Sequence, residues 1–138
     1  MRDLRLETVG PYGDCAVLRV GGEIDLYTAP ALRAGLSDLV TTCIRHVVLD
    51  TSDVTFLDST GLGVLVDGRR RLRAHDGSLA LVSGQERIER LLRLTGLARL
   101  FPPYATVAEA IEADPHWRKA IGDRPGGVAQ WCRLHELT

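Results

Sequence analysis

A chain of 138 residues with a formal net charge of −1 is long enough to bury a core without disulfides or a structural metal. It lacks the basic excess that a nucleic acid or an anionic membrane selects. Its cysteines, Cys15, Cys43 and Cys132, are odd in number, widely spaced and form no CxxC pair, which argues against a zinc site or a redox couple and for reduced thiols of a cytosolic protein. The opening "MRDLRLETVG" has no signal-peptide apolar segment, and no apolar run is long enough to cross a membrane. One cytoplasmic domain, with a tail, is the expectation.

Along the chain, "LRLETV" (4–9) alternates as a half-buried strand does, "GPYGD" (10–14) is a turn cluster, and "CAVLRVGG" (15–22) reads as a second strand, completing a hairpin. "YTAPALRAGLSDLV" (27–40) predicts a helix capped by Thr28, with Pro30 in its first turn and an apolar stripe through Leu32, Leu36, Leu39 and Val40. "HVVLD" (46–50) has the composition of a strand buried on both faces. "GLGVLVDGRRRLRAH" (61–75) predicts a helix that begins apolar and ends cationic, with Arg69, Arg70, Arg71 and Arg73 on a solvated face and Gly77 as the stop. "SLALVS" (78–83) reads as a strand. Ser83-Gly84-Gln85-Glu86 has capping-box spacing and opens a helix whose Ile88, Leu91, Leu92 and Leu94 belong in a core. "RLF" (99–101) reads as an edge strand ended by Pro102-Pro103. A second capping box, Thr106 to Glu109, starts a short helix to about Ala113. Strands alternating with helices imply right-handed crossovers, so the expected fold is α/β, a mixed and mostly parallel sheet of about five strands with about four helices. From Asp114 the pattern dissolves among Pro115, Pro125 and Gly126-Gly127. Trp117 and Trp131 leave open whether this stretch docks or stays loose.

In such sheets functional groups gather at the C-terminal strand ends. That rule collects Glu23-Ile24-Asp25, the loop carrying Asp50, Ser52, Asp53, Asp58, Ser59 and Thr60, and Ser83-Gly84. Read on its own, Ser59 or Thr60 is a helix cap, and Asp25 is a turn carboxylate. Ser59 nevertheless stands where free N–H groups and the helix dipole favour negative charge, so a phosphate there is compatible with the fold and repels a docked partner. Gly61 and Gly63 would let a partner approach the backbone. Asp50, Asp53 and Asp58 are too commonplace to argue a Mg²⁺ site. No G-x-S-x-G elbow surrounds Ser59, none of His46, His75, His116 and His135 is placed as a base, and Gly61-Leu62-Gly63 is no phosphate loop.

"GGEIDLYTAPALRAGL", "HVVLDTSDVTFLDSTGLGVLV", "GSLALVSGQERIERLLRLTGL" and "RLFPPYATVAEAI" stand in the order and nearly the spacing of a STAS domain. The chain resembles the bacterial anti-sigma factor antagonist family from about Leu4 to Ala113. The expected division is therefore a STAS domain over 1–113 and an extension of unknown structure over 114–138. The resemblance rests on a D-S-[ST]-G-L-G signature preceded by a G-E-[IL]-D element. It implies that Ser59 is the phosphoacceptor, with Thr60 the neighbouring hydroxyl. It also implies that Asp25, Asp58, Ser59, Thr60 and Gly61 meet the partner, which is an anti-sigma factor that is also a serine kinase. Phosphorylation switches binding off and a PP2C-type phosphatase restores it. The implied domain catalyses nothing and needs no cofactor or metal. A non-catalytic STAS subunit of a stress-signalling or lipid-transport assembly is the alternative.

Overall fold

Both faces of the strand Cys15–Ile24 are apolar, and both are covered. Cys15 and Val17 are buried on one side, Ala16, Leu18 and Val20 on the other. A strand of this kind needs a layer above and a layer below. In the computed structural model, which describes residues 3–122 and 127–137, the elements run β1 (Leu4–Tyr12), β2 (Cys15–Ile24), α1 (Ala29–Thr41), β3 (His46–Leu57), α2 (Ser59–Arg73), β4 (Ser78–Val82), α3 (Glu86–Leu94), a 3₁₀ turn (Leu97–Arg99), α4 (Val107–Glu112), α5 (Pro115–Ile121) and α6 (Gly127–Leu134). The sheet order is β1-β2-β3-β4. The opening hairpin is antiparallel and the other two pairings are parallel, the mixed α/β sheet that the alternation implied.

One face packs against α1, α2 and α3 through Leu18, Leu32, Leu49, Leu65, Leu81 and Leu92. The opposite face carries Val17, Val48 and Val82 and packs against Val107 and Ile111 of α4, Trp117 and Ile121 of α5, and Trp131 of α6. The two helices after Asp114, α5 and α6, therefore dock. Trp117 and Trp131 are fully buried and meet edge to face with ring centroids 6.0 Å apart, an arrangement that aromatic pairs favour. Tyr12 closes on Trp131 at 4.9 Å in the same manner. Pro125 and Gly126 lie outside the described residues.

Several expected boundaries move. The hairpin turn contracts to Gly13-Asp14, because Tyr12 pairs with Cys15. β3 runs on through the polar stretch read as a loop: Asp53, Val54, Phe56 and Leu57 pair with Gly21, Gly22, Glu23 and Ile24, with register shifts after Asp50 and after Val54. These bulges absorb the extra residues that broke the alternation. The expected edge strand at 99–101 does not form. Leu97–Arg99 is a 3₁₀ turn, and the fifth position of the sheet is reduced to a single bridge from Tyr104 to Val82, since Pro102 and Pro103 cannot donate to a ladder. Leu94, expected in the core, is 75% exposed. The first capping box is not made. The Ser83 hydroxyl accepts from Gln85 N–H at 3.3 Å, and α3 starts one residue later, at Glu86. The second holds: Thr106 Oγ1 accepts from Glu109 N–H at 3.1 Å, while the Glu109 carboxylate takes the Ala105 N–H.

Candidate functional site

The last residues of β2 and β3 are register partners, Ile24 opposite Leu57, and Asp58 N–H donates to the Ile24 carbonyl at 3.3 Å. The segments that follow, Asp25-Leu26-Tyr27-Thr28 and Asp58-Ser59-Thr60-Gly61, therefore leave the sheet side by side. The β4–α3 loop joins them through Gln85, whose Nε2 donates to the Ser52 and Val54 carbonyls at 2.8 and 2.5 Å. The three strand ends picked out by the topology rule share one edge of the domain.

Asp58 caps α2. Its backbone is extended and its Oδ1 accepts from Thr60 N–H at 3.0 Å and Gly61 N–H at 3.1 Å, satisfying two of the donors that a helix start leaves open. Neither Ser59 nor Thr60 is the cap. Ser59 is the first helical residue, is exposed, and its hydroxyl makes no hydrogen bond among the described residues. A hydroxyl that the fold does not use is thus held at the positive end of α2.

Asp25 is buried. Its Oδ1 accepts from Tyr27 N–H at 2.8 Å and Thr28 N–H at 3.0 Å, and its own N–H donates to Thr28 Oγ1 at 2.9 Å. The Thr28 hydroxyl donates in turn to the Glu23 carbonyl at 2.7 Å. Thr28 therefore locks the turn, and its side chain does not make the α1 cap that the sequence predicted. The tight turn pushes the two residues between them outward: Leu26 is 65% exposed and Tyr27 78%. Phe56, opposite Glu23 in the ladder, is also partly exposed. These three apolar side chains are absent from the sequence-derived site. Their signal was two aromatics and a leucine inside segments otherwise rich in turn residues.

The two glycines of the signature differ. A Cβ at Gly61 would collide with Leu57 Cδ1 and lie 2.7 Å from Ile24 Cγ2, so this glycine lets α2 press onto the ends of β2 and β3. A Cβ at Gly63 would meet nothing within 4 Å, and Gly63 is exposed. Access to the backbone, expected of both, is a property of Gly63. Asp50 is not aimed at this edge either: its Oδ1 accepts from the Ser52 N–H and hydroxyl at 3.0 and 2.6 Å.

The family model of the STAS domain matches residues 7–110. The chain belongs to the STAS domain family. Over 98 residues, 71% of this chain and 90% of the relative, this STAS protein is 36% identical to an anti-sigma-B factor antagonist of Staphylococcus epidermidis. Its fold matches an anti-sigma factor antagonist from Mycobacterium paratuberculosis with a TM-score of 0.73 and 32% identity, covering 80% of this chain and 93% of that one. It also matches the anti-sigma factor antagonist SpoIIAA of Bacillus at 25% identity over 80% of this chain. The TM-score is 0.67 for the unphosphorylated form, of which 95% is covered, and 0.61 for the phosphorylated form, of which 98% is covered. The STAS match ends before α5, so α5 and α6 are additions to the matched region. Among the described residues no helix is long and apolar enough to cross a membrane.

Proposed function

We propose that this protein is an anti-sigma factor antagonist whose partner binding is switched off by phosphorylation of Ser59. The observation that carries the reading is the division of labour at the start of α2: Asp58 makes the cap, and the exposed Ser59 hydroxyl is left for chemistry. The homologues support the antagonist role, and a relative of known structure exists in a phosphorylated form.

A phosphate on Ser59 adds about −1.5 to −2 charges at a helix start, where the dipole favours them. The fold tolerates the modification while the surface changes sign. That surface is otherwise suited to a protein partner, with exposed Leu26, Tyr27 and Phe56 around Asp25, Asp58, Ser59 and Thr60. Apolar anchors bordered by polar groups are the usual make-up of a binding patch. The partner is an anti-sigma factor that is also a serine kinase. A PP2C-type phosphatase removes the phosphate, and the domain itself catalyses nothing. Such a role belongs in the cytoplasm.

The test is intact mass and site mapping after incubation with candidate anti-sigma factor kinases, ATP and Mg²⁺. A single phosphate on Ser59, missing in Ser59→Ala, together with loss of complex on phosphorylation, is the expected result. A stable complex that never yields phosphoserine would refute the switch and favour a scaffold role.

A further inference from the structure

At the other end of the strands, on the order of 35 Å from Ser59 at about 3.3 Å per residue of β3, His46 begins β3 and Ser78 begins β4. Asp114 and His116, the residues that open α5, lie against them. His46 is buried, and its Nδ1 lies 2.9 Å from Ser78 Oγ and 3.9 Å from Asp114 Oδ2. The His116 ring stacks on the His46 ring, with centroids 3.9 Å apart and planes 14° from parallel, and its Nδ1 is 3.1 Å from Asp114 Oδ1. One nitrogen from each imidazole and one oxygen of the carboxylate lie within 4.8 Å of one another.

We propose that His46, Asp114 and His116 bind a divalent transition-metal ion of the zinc type, which fastens the C-terminal helices to the sheet. Two imidazoles and one carboxylate are a nitrogen-and-oxygen set that suits zinc, cobalt or nickel better than magnesium or calcium. The Asp14 carboxylate is 4.0 Å from His46 Nε2, on the ring edge away from Asp114. That distance is too long for a hydrogen bond, so Asp14 acts on this site through its charge alone. A cleft of about 310 Å³, lined also by Leu81, Phe101 and Tyr104, opens onto the three side chains and gives an ion a way in. Stacked rings aim their in-plane nitrogen lone pairs side by side, so reaching metal–ligand distances of about 2.0–2.2 Å requires the His116 ring, whose side chain is 62% exposed, to rotate out of the stack and move inward. The fourth position is left to Ser78 Oγ or water. Sequence alone missed the site because His46 stands far along the chain from Asp114 and His116.

The experiment is calorimetric titration of the chelator-stripped full chain with Zn²⁺, for the wild type, His116→Ala and Asp114→Asn. His116 is at the surface, and asparagine still caps α5, so both variants keep the fold; circular dichroism verifies this. One ion per chain is expected. Loss of a group behind a ligand weakens zinc by about 10–100-fold, so loss of a ligand should weaken it at least tenfold. In the wild type the imidazole resonances of His46 and His116 should shift on titration, and those of His75 and His135 should not. Absence of saturable binding, wild-type affinity in both variants, or shifts confined to His75 and His135 would each overturn the site.

Discussion

Asp58 caps the helix that Ser59 begins, and it does so without touching the Ser59 hydroxyl: its two hydrogen bonds go to the N–H groups of Thr60 and Gly61. The cap and the exposed hydroxyl, which a single capping serine would have merged, are held by adjacent residues. Ser59→Ala should therefore shift stability by no more than about 0.5 kcal/mol, less than a lost cap. Asp58→Ala should lose about 1 kcal/mol. Urea denaturation of the two variants measures the difference, and equal losses would return the cap to Ser59.

Burial changes what is expected of Asp25. A turn carboxylate at the surface would be removable at little cost, but this one is 4% exposed and accepts two backbone N–H groups. Asp25→Ala leaves those donors unpaired and should destabilise the domain by about 2 kcal/mol. Asp25→Asn, which retains an acceptor oxygen, should recover most of it. Partner affinity measured for the Asn variant, which stays folded, then reports on the carboxylate charge alone.

Gly61→Ala and Gly63→Ala should move in opposite directions. The first forces a methyl against Leu57 and Ile24 and should cost about 1–3 kcal/mol. The second adds a methyl in open space and should stabilise α2 by up to about 1 kcal/mol. Thermal melts of the pair decide it. If Gly63→Ala is stable yet weakens the complex, the partner lies against that turn of the helix.

Cysteine chemistry should follow burial. The Cys15 thiol is pushed from the ordinary 9.0 up to about 12, by burial and then by the neighbouring Asp14 carboxylate; burial likewise raises Cys132 to about 11. Cys43 is exposed. Iodoacetamide at pH 9.0, where an ordinary thiol is half ionised, should label Cys43 in the folded protein and all three residues in urea. Both buried thiols stay protonated in the fold after the unfolded chain has begun to lose those protons. Their stabilising contribution is complete below about pH 9 and falls as the pH rises past the ordinary thiol value.

The hairpin, the helices built on Leu32 and Leu65, and the parallel order of β2, β3 and β4 were legible because apolar residues there repeat at the period of their element. The outer half of β3 was not. Thr51, Ser52, Asp53 and Thr55 have the composition of a loop, and the two bulges shift which residues face the core. At the site, the acid–hydroxyl–glycine run announced a helix start, yet composition could not say whether Asp58 or Ser59 would cap it, since both residue types do so well. Leu26 and Tyr27 were passed over because exposure of an apolar side chain is a property of the Asp25–Thr28 turn that presents it. The C-terminal helices were illegible for want of length: α5 has 7 residues and α6 has 8, too few for a pattern to repeat.

The two tryptophans of the chain both sit in those C-terminal helices, buried on the sheet face away from α2. Intrinsic fluorescence of the unlabelled protein is consequently a one-region signal. A red shift or a change in quenching by iodide reports detachment of the extension while the signature helix, on the other face of the sheet, stays optically silent, so the two regions can be followed separately in one cuvette by pairing that emission with a reporter attached at Tyr27.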